Sequence, residues 1–489
     1  MVPRPAPPPR TQSHPMKRRF WKFLIPSVVL LALLAGGVQW WVASRINAGE
    51  IIRLLESSRN CRVTVGSVSV RLFSFPARVQ VRDLKVVPLD ETRKPARPGE
   101  TYIKVNQALL EVQLLSLFTG ELDVERVLVE GVDMQTVKWE GGGNSLRLLL
   151  SKPGTTLRPP SKKITLEDED EIPAPDALPG GGDEKPWHIS ELPVTATLRE
   201  ARISNASWTL VNQRRQTTQQ WKDCNFILSG MTLNPRDPTA GGSARISADT
   251  RLILDNQKLN LRTLDFILAL QGNYQLIDPQ TGFLNNDLAF DVTVKKGSLI
   301  NRIPTLVKLN ERLRKLESSL GLAITLPPEA TLLSDSILRA RLQDEVIRLT
   351  DDTFFPFDTY QLGLDKESWL SLRDEQHTFT GRLIVNGDTS KKAVGSLRTF
   401  LEKQNGQLAE LISKTVIEKI VRPDGSIELP FKSAAEIGHP DVKLSDKLLD
   451  TIKRAGTEAG KDLLKDALEG GDDIKDIFDS IKDLRKKNK

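Results

Sequence analysis

The feature that most limits what this chain can fold into is a spacing. In RVTVGSVSVRLFSFPARVQVRDLKVVP, Arg62 to Pro88, apolar residues stand at Val63, Val65, Val68 and Val70, and the same offsets of 0, 2, 5 and 7 return at Val79, Val81, Leu84 and Val86. They recur at Ile103, Val105, Ala108 and Leu110; at Leu122, Val124, Val127 and Val129; and at Val132, Met134, Val137 and Trp139. Further copies lie at Phe226, Leu228, Met231 and Leu233 and at Leu259, Leu261, Leu264 and Phe266, with a weaker one at Ala201, Ile203, Ala206 and Trp208. On a helix turning about 100° per residue these positions scatter around the axis, so no face collects them. On a strand, offsets 0 and 2 share one face and 5 and 7 the other, unless the polar pair between them forms a bulge that restores the phase.

The alternative is a tight hairpin with that pair as its turn. Gly66-Ser67 suits a turn, whereas Arg82-Asp83, Glu125-Arg126 and Arg262-Thr263 are poor at the positive φ angles such turns require. Bent strands with one apolar face each predict a long curling sheet whose concave side is greasy. Later segments, RISADTRLIL, LAFDVTV, SILRARL and FTGRLIVNGD, alternate with a period near two and extend the strand series. Roughly 16 to 20 strands at about 4.8 Å spacing would extend about 75 to 95 Å.

Upstream of the repeats, 22 residues between Lys22 and Arg45 carry no charge, FLIPSVVLLALLAGGVQWWVAS, enough for one bilayer crossing. Trp40 and Trp41 mark the distal interface, and Lys22 with Lys17, Arg18 and Arg19 marks a cytoplasmic end. A cleaved signal peptide is the competing reading, but its apolar region would be shorter and would end in small residues rather than Gln-Trp-Trp. The expected location is a bacterial inner membrane, single-pass, with the N-terminus cytoplasmic and the bulk periplasmic.

The fold expected is therefore mainly β with a few amphipathic helices: a single N-terminal transmembrane helix, then a long curled, groove-like antiparallel β-sheet. Residues 1–22 form a basic, Pro-rich tail, 23–44 the span, and 45–140 the first β segment with a short juxtamembrane helix. Residues 141–190 hold an insert in which seven prolines, a Gly run and the acidic block EDEDE at 167–171 disfavour a packed core. A β-rich segment follows at 191–390 with a helix near 299–320, then an amphipathic helix at 391–421. A strand and a charged amphipathic helix close the chain at 422–489.

Composition narrows function. Aromatics are only 6% and charged residues 27%, with a net charge of +6 spread along the chain, so no basic stripe suits nucleic acid. The four histidines have no partners in sequence, and no hydrolase, nucleotide or metalloprotease spacing occurs, so no enzyme, metal or cofactor is expected. The two cysteines, Cys61 and Cys224, allow one disulfide or two buried thiols.

The anchor, the short helix, VTVGSVSVRLFSFPARVQVRDLKV and ALLEVQLLSLFTGELDVERVLVEGVDM together resemble the AsmA-like family of bacterial envelope proteins over residues 16 to 140. That resemblance implies an inner-membrane-anchored protein linked to outer-membrane assembly and phospholipid traffic, whose strands form a groove that shields acyl chains. It implies groove lining at Val63, Val65, Val79, Val81, Val105, Leu110, Val124 and Val127, and as partners the inner membrane and a phospholipid or other acyl lipid; the acidic insert and the charged C-terminal helix depart from the family pattern and leave room for another envelope protein as partner. The second reading is a non-enzymatic assembly scaffold or tether whose apolar sheet face is a closed core.

Overall fold

A computed structural model gives the fold, and it describes residues 47–89, 101–140, 144–151, 187–320, 322–343, 345–372, 376–405, 421–437 and 439–444. The expected span 23–44 with Lys22, Trp40 and Trp41, the acidic block, and the charged C-terminal helix lie outside the described residues. Among the described residues, no helix is long and apolar enough to cross a membrane.

Helix α1 (Ala48–Ser58) starts under Asn47, whose Oδ1 accepts from the Glu50 amide at 3.0 Å. It leads into β1 (Cys61–Thr64), β2 (Ser67–Arg71), β3 (Ala77–Pro88), β4 (Tyr102–Gln113) and β5 (Glu121–Lys138). After α2 (Ser145–Leu150) come the long strands β6 (Thr195–Asn212), β7 (Thr217–Leu233), β8 (Ser243–Asn256), β9 (Leu261–Ile277) and β10 (Leu284–Val294). The remainder is β11 (Leu299–Asn301), α3 (Pro304–Leu320), β12 (Glu329–Thr331), β13 (Ser336–Gln343), β14 (Val346–Leu349), β15 (Thr353–Pro356), β16 (Tyr360–Leu364), β17 (Trp369–Ser371), β18 (Gln376–Val385), α4 (Gly387–Asn405), β19 (Ile427–Glu436) and β20 (Asp441–Leu444). The 20 strands form one sheet. Its longest hydrogen-bonded path runs from β2 through β10 in chain order and on through β13, β14, β17, β18 and β19 to β20. That path is about 67 Å at about 4.8 Å per strand.

The polar pair inside the repeat is where the strands bend. Asp83, Gly131, Asn205 and Asp223 take left-handed φ angles of +53, +64, +52 and +52°. The ladder places them at one level: Asn106 falls between the flanking pairs Leu84↔Val105 and Arg82↔Gln107 on one side, and Val105↔Val132 and Gln107↔Glu130 on the other. Asn205 lies between the flanking β5–β6 pairs, and the β6–β7 and β7–β8 registers shift at the same place. On the outermost strand the chain breaks there into β1 and β2, and the Gly66 amide reaches the Arg82 and Asp83 carbonyls at 3.1 and 3.3 Å. The result is a crease crossing the sheet from Gly66 to Asp223. A left-handed residue slips the side-chain alternation by one, so the apolar residues on both sides of the crease stay on one face. A second irregularity, the shift at Glu111/Val112 with Gly230 at φ +80°, does the same nearer the other end of the strands. The copy at Val132, Met134, Val137 and Trp139 differs: its register is unbroken through Tyr102↔Gln135, and Val137 falls on the opposite face from Met134.

The sheet is mixed rather than antiparallel throughout. β5 and β6 run parallel, from Glu121↔Thr195 to Lys138↔Asn212. A parallel pair needs a crossover, and the connection 139–194 must carry the chain back over about 56 Å of strand at about 3.3 Å per residue. Its two ends are structured although the insert reads as unable to fold. The apolar run of α2 buries Leu148 and Leu149, with Ser151 O accepting from the Asn60 amide at 2.9 Å. At the opposite rim, the Ile189 amide donates to Gly282 O at 2.9 Å.

From β10 onward the apolar face closes into a core. Leu306, Leu309 and Leu313 of α3 and Ala393 and Leu397 of α4 pack with Tyr360, Leu383, Val385, Ile427 and Leu429. Arg312 Nε donates to Val442 O at 2.8 Å and ties α3 to β20. The helix expected at 299–320 begins only at Pro304, because Leu299–Asn301 is recruited as a strand against β9 and β12. Proline then opens the helix at a position whose amide would be unpaired.

The crease has a testable requirement. A Cβ on Gly131 would clash with the Asn106 side chain, whereas a Cβ on Gly120, also at positive φ, meets nothing within 4 Å. Gly131→Ala should therefore cost about 1 kcal/mol or more beyond Gly120→Ala in denaturant unfolding; equal costs would mean that strand crossing needs no close approach there.

Candidate functional site

Strand register assembles the apolar positions into rows that run along the sheet, perpendicular to the strands. One row is Val70, Val79, Leu110, Val127, Ala201, Leu228, Ile246, Gly272, Phe290 and Ala340, each directly opposite the next. Beside it runs Val68, Val81, Ala108, Val129, Ile203, Phe226, Ala248, Leu270, Val292 and Leu338. Across the crease lies a third row, Val63, Val86, Ile103, Met134, Trp208, Trp221, Leu252 and Phe266.

The opposite face is charged. Arg78 and Glu111 approach to 2.8 Å, Glu111 and Arg126 to 3.9 Å, and Arg126 and Glu200 to 3.7 Å, an alternating ladder across four strands. Asp265 accepts from Arg251 Nε at 2.7 Å and Arg262 Nη1 at 3.0 Å, and these hydrogen bonds, Arg251 first, hold its carboxyl below the usual range. Such a face is comfortable in water, so the two sides of the sheet are chemically opposite.

How much of the apolar face is covered differs along its length. At the first edge, Cys61, Val63 and Leu149 are buried, with Ile52 and Leu55 of α1 packed on them beside Val65, Leu84 and Val86. At the far end Phe290, Ala340 and Leu349 are core. Between them, Val79, Val81, Val124, Val127, Ala201, Ile203, Phe226 and Leu228 are only half-buried, and Leu110 is 37% exposed. Of the eight positions expected to line a groove, Val63 and Val105 are therefore buried, Val65 is packed under α1, and Val79, Val81, Leu110, Val124 and Val127 belong to the open stretch. The spacing did not single out Trp221 or Leu252; they join the face only through register.

A hollow of about 850 Å³ opens on the charged side of β7 to β13, lined by Arg245, Asp287, Asp291, Arg339 and Arg341, with Arg341 Nε donating to Asp287 at 2.7 Å. The pattern predicted the hollow on the apolar side. At this stretch that side is filled, because Phe290, Ala340 and Leu349 pack against Leu270, Leu338 and Leu364.

Cys61 and Cys224 are free. Five strand steps separate β1 from β7, about 24 Å along the sheet, well beyond the roughly 7 Å Cα separation a disulfide spans. Among the described residues, no group of three or more His, Cys, Asp or Glu could hold a metal ion. His188 sits in a turn, Nδ1 2.7 Å from Ser190 Oγ and Nε2 3.0 Å from Thr281 O; buried His377 has Nε2 2.9 Å from Ser433 Oγ. Comparison of the chain with protein-family models, with characterised proteins and with solved structures finds no match.

Burial raises the pKa of both thiols, and for Cys224 it outweighs the Thr250 hydrogen bond. At pH 8 Ellman's reagent should therefore titrate both thiols more slowly in the folded chain than in denaturant, where less of the thiolate is suppressed. Non-reducing electrophoresis should show no internal crosslink.

Proposed function

We propose that this chain is a membrane-anchored acyl-lipid-binding protein of the bacterial envelope, whose open apolar face between β2 and β8 receives the hydrocarbon of a phospholipid or a similar lipid. The observation that carries the reading is the pair of unbroken apolar rows through Val79 and Val81, partly exposed in the middle of the sheet and charged on the reverse. From β2 to β8 the rows extend about 29 Å at about 4.8 Å per strand. One leaflet of hydrocarbon is about 15 Å deep, so a lipid tail fits along the rows with room to spare.

Binding is apolar, at roughly 25 cal/mol per Å² removed from water, and so discriminates weakly among headgroups. The uncharged run 23–44 and the resemblance of residues 16–140 to AsmA-like proteins support an inner-membrane anchor with the sheet in the periplasm. No residue is assigned a catalytic role. The closed core beyond β10 supports a site that holds lipid rather than a channel open at both ends. A scaffold reading draws on that same core, with α3 and α4 as its cover.

The test is to extract the full chain gently from membranes and identify co-purifying lipid by mass spectrometry. Stoichiometric acyl lipid is expected, and Val127→Asp with Leu228→Asp should reduce it roughly tenfold or more with little loss of stability, since a carboxylate at a half-open position stays hydrated. Leu429→Asp, in the closed core, should instead unfold the protein. A lipid-free, stable chain would favour the scaffold.

A further inference from the structure

Two neighbouring turns carry apolar side chains for which the fold has no use. The β2–β3 turn, residues 72–77, and the 3-10 turn Leu114–Thr119 between β4 and β5 contain no charged residue. Phe73, Phe75, Leu115, Leu117 and Phe118 are 50, 75, 60, 49 and 89% exposed. Ala77 pairs with Val112, so both turns leave the same rim of the sheet side by side.

Each turn is held from inside. Ser74 Oγ lies between the Arg71 and Pro76 carbonyls at 3.0 and 2.7 Å. Ser116 Oγ donates to Gln113 O at 2.6 Å and accepts from the Asp123 amide at 3.3 Å, while Thr119 Oγ1 donates to Ser116 O at 2.7 Å. Polar groups thus turn inward onto the loop backbone and large apolar groups point out, the reverse of an ordinary water-facing turn.

We propose that these two tips dip into the interfacial layer of a lipid bilayer. Two observations choose a bilayer over a protein partner. The tips are protruding and free of charge, with aromatic and leucine side chains of the kind that settle at headgroup depth; a protein interface of this size would carry a polar rim. The row Ala77, Val112, Val124 and Leu198 leads from the tips onto the open apolar face. Arg71 flanks the first tip, where a lipid phosphate would lie, and Glu121 follows the second. This goes beyond the acyl-binding reading and does not depend on it, because a closed scaffold with these tips would dock on the same surface.

The experiment uses the full chain in vesicles of phosphatidylcholine and phosphatidylglycerol, with photoreactive benzoylphenylalanine replacing Phe75, Phe118 or, as a control, Leu259. Leu259 is 53% exposed in the β8–β9 turn at the opposite rim. Illumination should give phospholipid adducts at 75 and 118, several-fold above 259 by mass spectrometry. The adducts should persist when Val127→Asp and Leu228→Asp are added, which separates the bilayer from lipid held on the open face. Adducts lost in that background, equal at all three sites, or formed mainly with protein would overturn the proposal.

Discussion

Everything distinctive in this sheet depends on a crease running across it, with left-handed backbone at Asp83, Gly131, Asn205 and Asp223 and Gly66 and Asn106 at the same level on their strands. In a strand, side chains alternate strictly, so a long strand offers each face half of its residues. One left-handed residue resets the alternation. Because neighbouring strands reset at one level, the apolar rows on either side of the crease remain on one face, with charge on the other. Asn and Asp tolerate this conformation better than other side chains, and Gly131 is required where Asn106 lies across the chain. Remove the alignment and each strand would present apolar patches to both sides.

The same face serves two purposes along its length. Beyond β10, short strands and two amphipathic helices fold over it, and Leu309, Leu383 and Leu429 become fully buried core. Between β2 and β8 it remains partly exposed, and no helix among the described residues packs across its middle. Sustained apolar surface of that kind in water marks an interaction surface. The closed part is a packed core, and the open part is the surface proposed above to hold lipid.

Between the two halves of the open stretch, the chain crosses over. The parallel pairing of β5 with β6 sets the start of β6 beside the start of β5, so the connection 139–194 has to traverse the length of a strand. Its ends are pinned at opposite rims, at Asn60 and Gly282.

The sequence by itself determined most of the long strands, their main bend and their apolar side, though not at Val132 to Trp139, where the strand runs straight. The spacing at Val79, Val81, Leu84 and Val86 already carried the phase slip, because which side chains are apolar is a local property readable from one segment. It did not reveal the parallel β5–β6 pair, the strand at Leu299–Asn301, or which of Val63, Val81 and Val105 stay accessible. Those depend on partners far away in the chain: Val63 is buried because α1 and Leu149 come to lie on it, and Trp221 joins the face because Trp208 is opposite. Periodicity fixes a residue's side of a strand; only the tertiary structure decides what, if anything, covers it.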